Sequence, residues 1–289
     1  MPKICNYYTT FRCNCTCEFC DVWQNPAYLN FEEKLPDYEL LKKWQVQKIN
    51  LTGGEPLLRE DLPEILAQLK AGGFQVSLFT NGLLYAEKAA GLKGLLERLH
   101  ISLDYPSAEE HDRSRGTECF DLALQAIKMA SALGERVVID FTMTRDNVRF
   151  LPEMVELSEQ LGVPLWPEPV YDFSGTQGFE KETINYIKYF FRKKNVLLNL
   201  AMVEFAAAGG NRVLMPRCRA KETTLTILPD GTAVSPCLFN REGKQGKENT
   251  CSSCMRWPYM IPSLQVGLDK YTFLSVYSDF INNRKEAKR

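Results

Sequence analysis

Three cysteines spaced C-x3-C-x2-C, at Cys13, Cys17 and Cys20, fall in one short loop directly after the first strand-like run. Three thiolates so placed can bind three irons of a four-iron, four-sulfur cluster. They leave the fourth iron without a protein ligand, free to hold a small molecule. A structural site would close its coordination sphere, and this spacing keeps it open. Zinc bound through C-x-C-x-C-x2-C, with Cys15 included, is the competing use of the same thiols. It leaves unexplained the segment Leu51-Thr52-Gly53-Gly54-Glu55-Pro56, which reads as a strand end turning into a loop. A second group, Cys218, Cys237, Cys251 and Cys254, surrounds a hairpin signal and ends in C-x2-C. Taken alone, that arrangement matches either a zinc ribbon or a fully ligated iron–sulfur cluster. Cys5 and Cys15 read as small core or spacer residues, and Cys119 falls near the mouth side of the elements that follow.

The elements that must hold these loops alternate from the start. Strand-like runs lie near residues 3–9, 47–52, 74–80, 98–104, 136–143 and 163–170. Between them, Leu62, Ile65, Leu66 and Leu69 recur at helical spacing behind a candidate N-cap, Asp61. Phe120, Leu124 and Ile127 mark a further helix, and Met154, Leu157 and Leu161 another that Gly162 ends. Six βα units of this kind predict a parallel sheet with helices outside, an α/β fold. After about residue 180 the rhythm changes. Helices near 181–193 and 198–208 lead into Gly209-Gly210-Asn211, and Thr223–Leu228, Asp230-Gly231 and Thr232–Val234 predict a hairpin. A division into domains 1–209 and 210–289 follows. Phe273, Val276, Tyr277 and Phe280 recur at i, i+3, i+4, i+7, with Leu274 and Ile281 widening the stripe, before the basic end Arg284–Arg289. A membrane-surface helix carries such a pattern, and so does a helix docked on a soluble core. Docking is the expectation, with Phe273 buried and Phe273→Asp costing about 3 kcal/mol through an unpaired charge.

The ordered motifs resemble the radical S-adenosylmethionine (radical SAM) superfamily. They are the three cysteines with Phe19 before the last, the Gly-Gly-Glu-Pro loop, Thr80-Asn81-Gly82, Ser102-Leu103-Asp104, and His111–Gly116 followed by Phe120-Asp121. The resemblance covers residues 4–147. It implies a partial (β/α)6 TIM-like barrel with its site at the C-terminal strand ends. It also implies a cluster on Cys13, Cys17 and Cys20 that chelates S-adenosylmethionine and cleaves it reductively to a 5′-deoxyadenosyl radical. Implied cofactor contacts are Phe19 on adenine, Gly53, Gly54, Glu55 and Pro56 in the methionine loop, Thr80 and Asn81, then Ser102 and Asp104. Close backbone approach at the glycine pair leads to the expectation that Gly54→Val weakens cofactor binding far more than folding. Cys218, Cys237, Cys251 and Cys254 resemble the Twitch domain, a shortened SPASM domain of hairpin and helix, which implies a second, auxiliary [4Fe-4S] cluster. Substrate contacts are expected at Asp140, Thr142, Arg145 and Asn147 after the fifth strand, and at Glu168 and Tyr171 after the sixth.

The implied reaction is hydrogen abstraction that oxidises a small metabolite, with an electron from a reductant such as flavodoxin or ferredoxin. The alternative is bond formation, rearrangement or modification of a lipid-like molecule or a peptide. The bulk properties agree with a soluble enzyme: 289 residues, 45% hydrophobic, 25% charged, net charge −1. No basic field points to nucleic acid. Neither a signal-peptide core nor a spanning apolar stretch is present. A cytoplasmic location without stable membrane insertion is therefore expected, and ten cysteines in that compartment argue for metal rather than disulfides.

Overall fold

The structure, a computed structural model, describes residues 3–25, 32–170, 179–210, 217–234, 236–238, 240–241 and 254–288. Six strands follow in parallel: β1 (Lys3–Thr10), β2 (Val46–Gly53), β3 (Gln75–Thr80), β4 (Arg98–Ser102), β5 (Val137–Met143) and β6 (Leu165–Pro169). Parallel pairing needs long crossovers. These carry α1 (Tyr38–Lys43), α2 (Leu62–Ala71), α3 (Tyr85–Leu92), α4 (Ala108–Arg115), α5 (Phe120–Ala132) and α6 (Leu151–Gln160). Beyond β6 come α7 (Lys181–Tyr189), α8 (Leu200–Ala207), α9 (Ala220–Thr223), β7 (Thr224–Ile227) and β8 (Ala233–Val234). A short ribbon of β9 (Pro236–Cys237) and β10 (Asn240–Arg241), then α10 (Trp257–Leu264) and α11 (Lys270–Glu286), complete the described chain.

The hairpin predicted around Asp230-Gly231 forms as β7–β8, with Gly231 at φ +82° in the turn. Its first strand then pairs parallel to β1, Ile4 to Thr224 through Tyr7 to Ile227. The sheet therefore runs β6-β5-β4-β3-β2-β1-β7-β8, eight strands where the crossover rhythm predicted six. The open side between β6 and β7 is spanned by α10. Trp257 Nε1 donates to Pro169 O of β6, and Tyr259 OH lies 3.1 Å from Thr226 Oγ1 of β7.

Side chains alternate across each strand. Leu99, Ile101, Ile139 and Phe141 face the helices and join a core with Ile65, Leu66, Ala126, Ile127 and Met154. His100, Ser102, Asp140 and Thr142 fall on the other face, which lines the barrel. Asp61 stands at the start of α2, but its carboxylate makes no cap hydrogen bond. It takes both Nε and Nη2 of the buried Arg59 at 2.6 and 2.7 Å, because a buried guanidinium demands its partners.

Candidate active site

β1 runs straight into the cysteine loop, which is tied down from three neighbours. From the β2 end, Gly54 N donates to Thr10 O and Glu55 N to Arg12 O, both at 2.8 Å. From the β3 end, Asn81 Nδ2 donates to Asn14 Oδ1 at 2.7 Å. From α4, the carbonyls of Arg115 and Ser114 accept from Thr16 N and Glu18 N at 3.0 and 3.1 Å. These ties bring Cys13, Cys17 and Cys20 onto a cavity of about 140 Å³. Phe19, Gly53, Gly54, Glu55, Thr80, Asn81 and Ser102 also line it.

The thiols suit a soft metal centre. The Cys15 thiol, then the Arg115 guanidinium, pull Cys17 down to about 6, and Cys15 also lowers Cys13. Burial pushes Cys20 up to about 11. Two thiols biased toward thiolate beside a fixed cation fit soft-metal ligation. Cys5 is core, as expected. Cys119 is buried, its thiol held by Cys15 and His111 rather than turned to the cavity.

Several expected contacts have other work. A Cβ on Gly53 would sit 2.1 Å from Thr10 O, and one on Gly54 2.0 Å from Arg12 O. The glycine pair thus permits a close approach to the cysteine loop's own backbone, and both glycines also line the cavity. Glu55 is fully buried and accepts from Leu57 N, Thr80 Oγ1 and Asn81 N at 3.0, 2.7 and 2.8 Å. It clamps the β2 loop to the β3 loop, while Pro56 starts a buried 3-10 turn. Asp104, expected to touch the cofactor, is sealed from solvent. One carboxylate oxygen pairs with Arg115 and the other accepts from Thr142 N at 2.9 Å. A carboxylate so satisfied positions Arg115 and does not contact a ligand. Asn147 is likewise corrected to a loop brace, with Nδ2 on Thr142 O and Asp104 O and Oδ1 on Thr144 N.

Arg115 is the functional residue that sequence reasoning did not single out. It lines the cavity, lies 3.7 Å from Cys17 Sγ and sits 5.4 Å above the Phe19 ring. The only signal was its place in the His111–Gly116 segment.

Deeper in the barrel a second polar group forms. His100 Nδ1 meets Asp140 Oδ1 at 2.7 Å, and its ring stacks on Phe79 at 4.2 Å and meets the Trp166 edge at 6.3 Å. Glu168, one register step beyond Trp166 on β6, is half-buried. Burial first, then the neighbouring Asp140 charge, push its carboxyl up to about 8. Asp140 and Glu168 are thus brought together, whereas Arg145 is exposed on the loop after β5. His100, Trp166 and Phe79 were legible only through strand alternation. In the C-terminal region Cys254 and Cys237 lie close enough to Cys218 to add to the rise that burial causes in its thiol. Cys251 and Tyr171 lie outside the described residues.

A family model described as the radical SAM superfamily matches residues 7–150. The chain belongs to the radical SAM superfamily. A probable GTP 3′,8-cyclase of Saccharolobus islandicus is 36% identical over 160 residues, 53% of this chain and 52% of that protein. The chain thus matches about half the length of these curated relatives. An AdoMet-dependent heme synthase of Oleidesulfovibrio alaskensis is 27% identical over 241 residues, 79% of this chain and 62% of that one. Among solved structures, Streptococcus suis SuiB bound to S-adenosylmethionine aligns at TM-score 0.65 and 16% identity, covering 90% of this chain and 64% of its own. The radical SAM protein anSMEcpe with AdoMet and a peptide aligns at TM-score 0.60 and 14% identity over the whole of both chains. At such identities the likeness speaks for the partial barrel alone. Membership implies one [4Fe-4S] cluster and S-adenosylmethionine. No helix among the described residues is long and apolar enough to cross a membrane.

Proposed function

We propose that this radical SAM protein binds a four-iron cluster on Cys13, Cys17 and Cys20 and S-adenosylmethionine in the adjoining cavity, and oxidises a small metabolite held deeper in the barrel. When bound, cluster and cofactor supply one electron and a 5′-deoxyadenosyl radical that takes a hydrogen atom from the substrate. Arg115 holds its positive charge beside the Cys17 thiolate, and Ser102 offers its hydroxyl to the cofactor at the β4 end, while the Thr80 hydroxyl is committed to Glu55. Removing a hydrogen atom and then an electron from a substrate leaves one proton to be taken up. The observation that carries the oxidative reading is the acid group in the lumen. Asp140, backed by His100, is the acceptor, and Glu168, mostly protonated at neutral pH, donates a hydrogen bond. Cys218, Cys237 and Cys254, with Cys251, are the ligands we assign to an auxiliary cluster in a Twitch-like region spanning 210–289, where the departing electron is received. A reductant of the flavodoxin or ferredoxin type supplies the first electron.

The test is 5′-deoxyadenosine release by anaerobically reconstituted protein with a chemical reductant. Cys13, Cys17 and Cys20 replaced together by Ala should abolish it while C-terminal iron is retained. A low-molecular-weight metabolite filtrate should stimulate release from the native protein, and Asp140→Asn should remove that stimulation but keep the unstimulated rate. Undiminished release in the triple variant would end the cluster assignment. Stimulation confined to a peptide fraction would replace the metabolite by a peptide.

A further inference from the structure

The last helix packs back on the protein, as expected, but its aromatic stripe is turned outward instead of in. The fully buried residues of α11 are small and polar, Ser275, Ser278 and Asn282, while Tyr271 and Leu274 pack partly against the core. Asn199 Nδ2 donates to Ser275 Oγ at 3.2 Å, Leu200 N to Ser278 Oγ at 3.0 Å, and Asn282 Nδ2 to Leu198 O at 3.1 Å. Further along, Lys285 Nζ donates to Phe191 O and Val196 O, both at 2.7 Å, and Glu286 pairs with Arg98 at the start of β4. The outward face carries Phe273, 72% exposed, Val276, Tyr277 and Phe280, 54% exposed, with Leu268 fully exposed just before the helix. These five side chains present on the order of 600 Å² of apolar surface, the upper end of what monomers leave open. What points to a lipid surface rather than a second copy of the chain is the cationic patch that continues this stripe.

At its C-terminal end this stripe meets a cavity of about 720 Å³. Arg192, Lys194, Arg284, Lys285 and Lys288 line it against one carboxylate, Glu159. Arg284 also lies 4.9 Å over the Phe280 ring, so the apolar and cationic parts are continuous. The whole chain has net charge −1, so this concentration of cations, drawn from the C-terminal end of α11 and the segment between α7 and α8, is local.

We propose that α11 docks the protein on an anionic lipid bilayer. Phe273, Val276, Tyr277 and Phe280 enter the interfacial layer, and the Arg192–Lys194–Arg284–Lys288 cavity receives lipid phosphate headgroups. Aromatic side chains beside Lys and Arg suit that boundary, where one end is apolar and the other wet. The Glu286–Arg98 pair sets the basic end of α11 at the N-terminal ends of the strands, opposite the cysteine cavity. Docking therefore leaves the barrel mouth free.

Flotation of the full-length, reconstituted protein with phosphatidylcholine vesicles, with and without phosphatidylglycerol, tests this. Binding is expected only with the anionic lipid and should fall as salt rises. The double variant Phe273→Asp, Phe280→Asp and the charge variant Arg284→Glu, Lys288→Glu should each lower the bound fraction at least tenfold. Melting temperature and unstimulated 5′-deoxyadenosine release should be unchanged. Equal flotation with both vesicle types, or no flotation, overturns the proposal. So does a dimer in light scattering that Phe273→Asp dissolves, since a second copy then covers this face. If the aspartate pair lowers the melting temperature, the charge variant decides alone.

Discussion

Asp104 and Arg115 meet where the barrel wall becomes the cysteine loop, and the pair braces that loop from the barrel side. The carboxylate is buried and doubly satisfied, so the guanidinium is fixed beside Cys17 and Phe19. The glycine pair works toward the same end. Gly54→Val should unfold the loop, because Arg12 O is main chain and cannot retreat from a Cβ at 2.0 Å. A stability loss on the order of 3 kcal/mol in denaturant melts, with iron loading lost alongside, is the expected result. A variant that melts normally yet fails only to bind the cofactor would put the ligand-contact role first. Glu168 gives a pH signature. Its folded-state pKa, about 8, lies above the ordinary value near 4.5. The native state therefore holds this proton more tightly than the unfolded chain. The stability this confers is complete below pH 4.5 and is lost as pH rises through 8. Glu168→Gln should remove that decline, so the variant gains on the native protein between pH 5 and 9 in melting curves. Parallel curves would mean that the carboxyl titrates normally.

At the scale of elements, the six βα units were legible because each strand–helix pair carries its own apolar rhythm and its own stop signals. Each observed strand falls within two residues of its expected span at either end. The hairpin's Asp-Gly turn was legible for the same local reason. Its partner was not, since nothing in Thr224–Ile227 names β1, more than two hundred residues away. The α11 face was misjudged because periodicity gives a stripe but not its direction. What decided the direction was a complementary polar surface, Asn199 and the carbonyls of Leu198 and Val196, invisible along the helix's own sequence. Phe273→Asp should change stability by less than about 0.5 kcal/mol, as an exposed substitution does. Ser278→Leu, on the face that touches α8, should cost about 1–3 kcal/mol by overpacking. Denaturant midpoints of the two variants distinguish the faces, and the reverse ranking would put the aromatic stripe back in the core.

The molecule as a whole divides its labour between the two ends of one barrel. Loops at the C-terminal strand ends hold the thiols and the cavity, while the opposite end carries α11 and its cations. Within the lumen, the placing of Asp140 and Glu168 follows from strand register and was readable. The roles of Asp104, Asn147 and Arg115 depend on which strand end faces which helix, and no local pattern encodes that. The pairing of β1 with β7 has one more consequence, and it concerns synthesis. The strand that covers the outer edge of β1 is made roughly 220 residues after it, on the order of ten to forty seconds at typical translation rates. During that interval Ile4–Tyr7 presents an uncovered hydrogen-bonding edge, the usual template for pairing with another nascent chain. Chains halted before residue 224 should therefore aggregate where complete ones do not, and the hairpin acts as the latch that ends this vulnerable period.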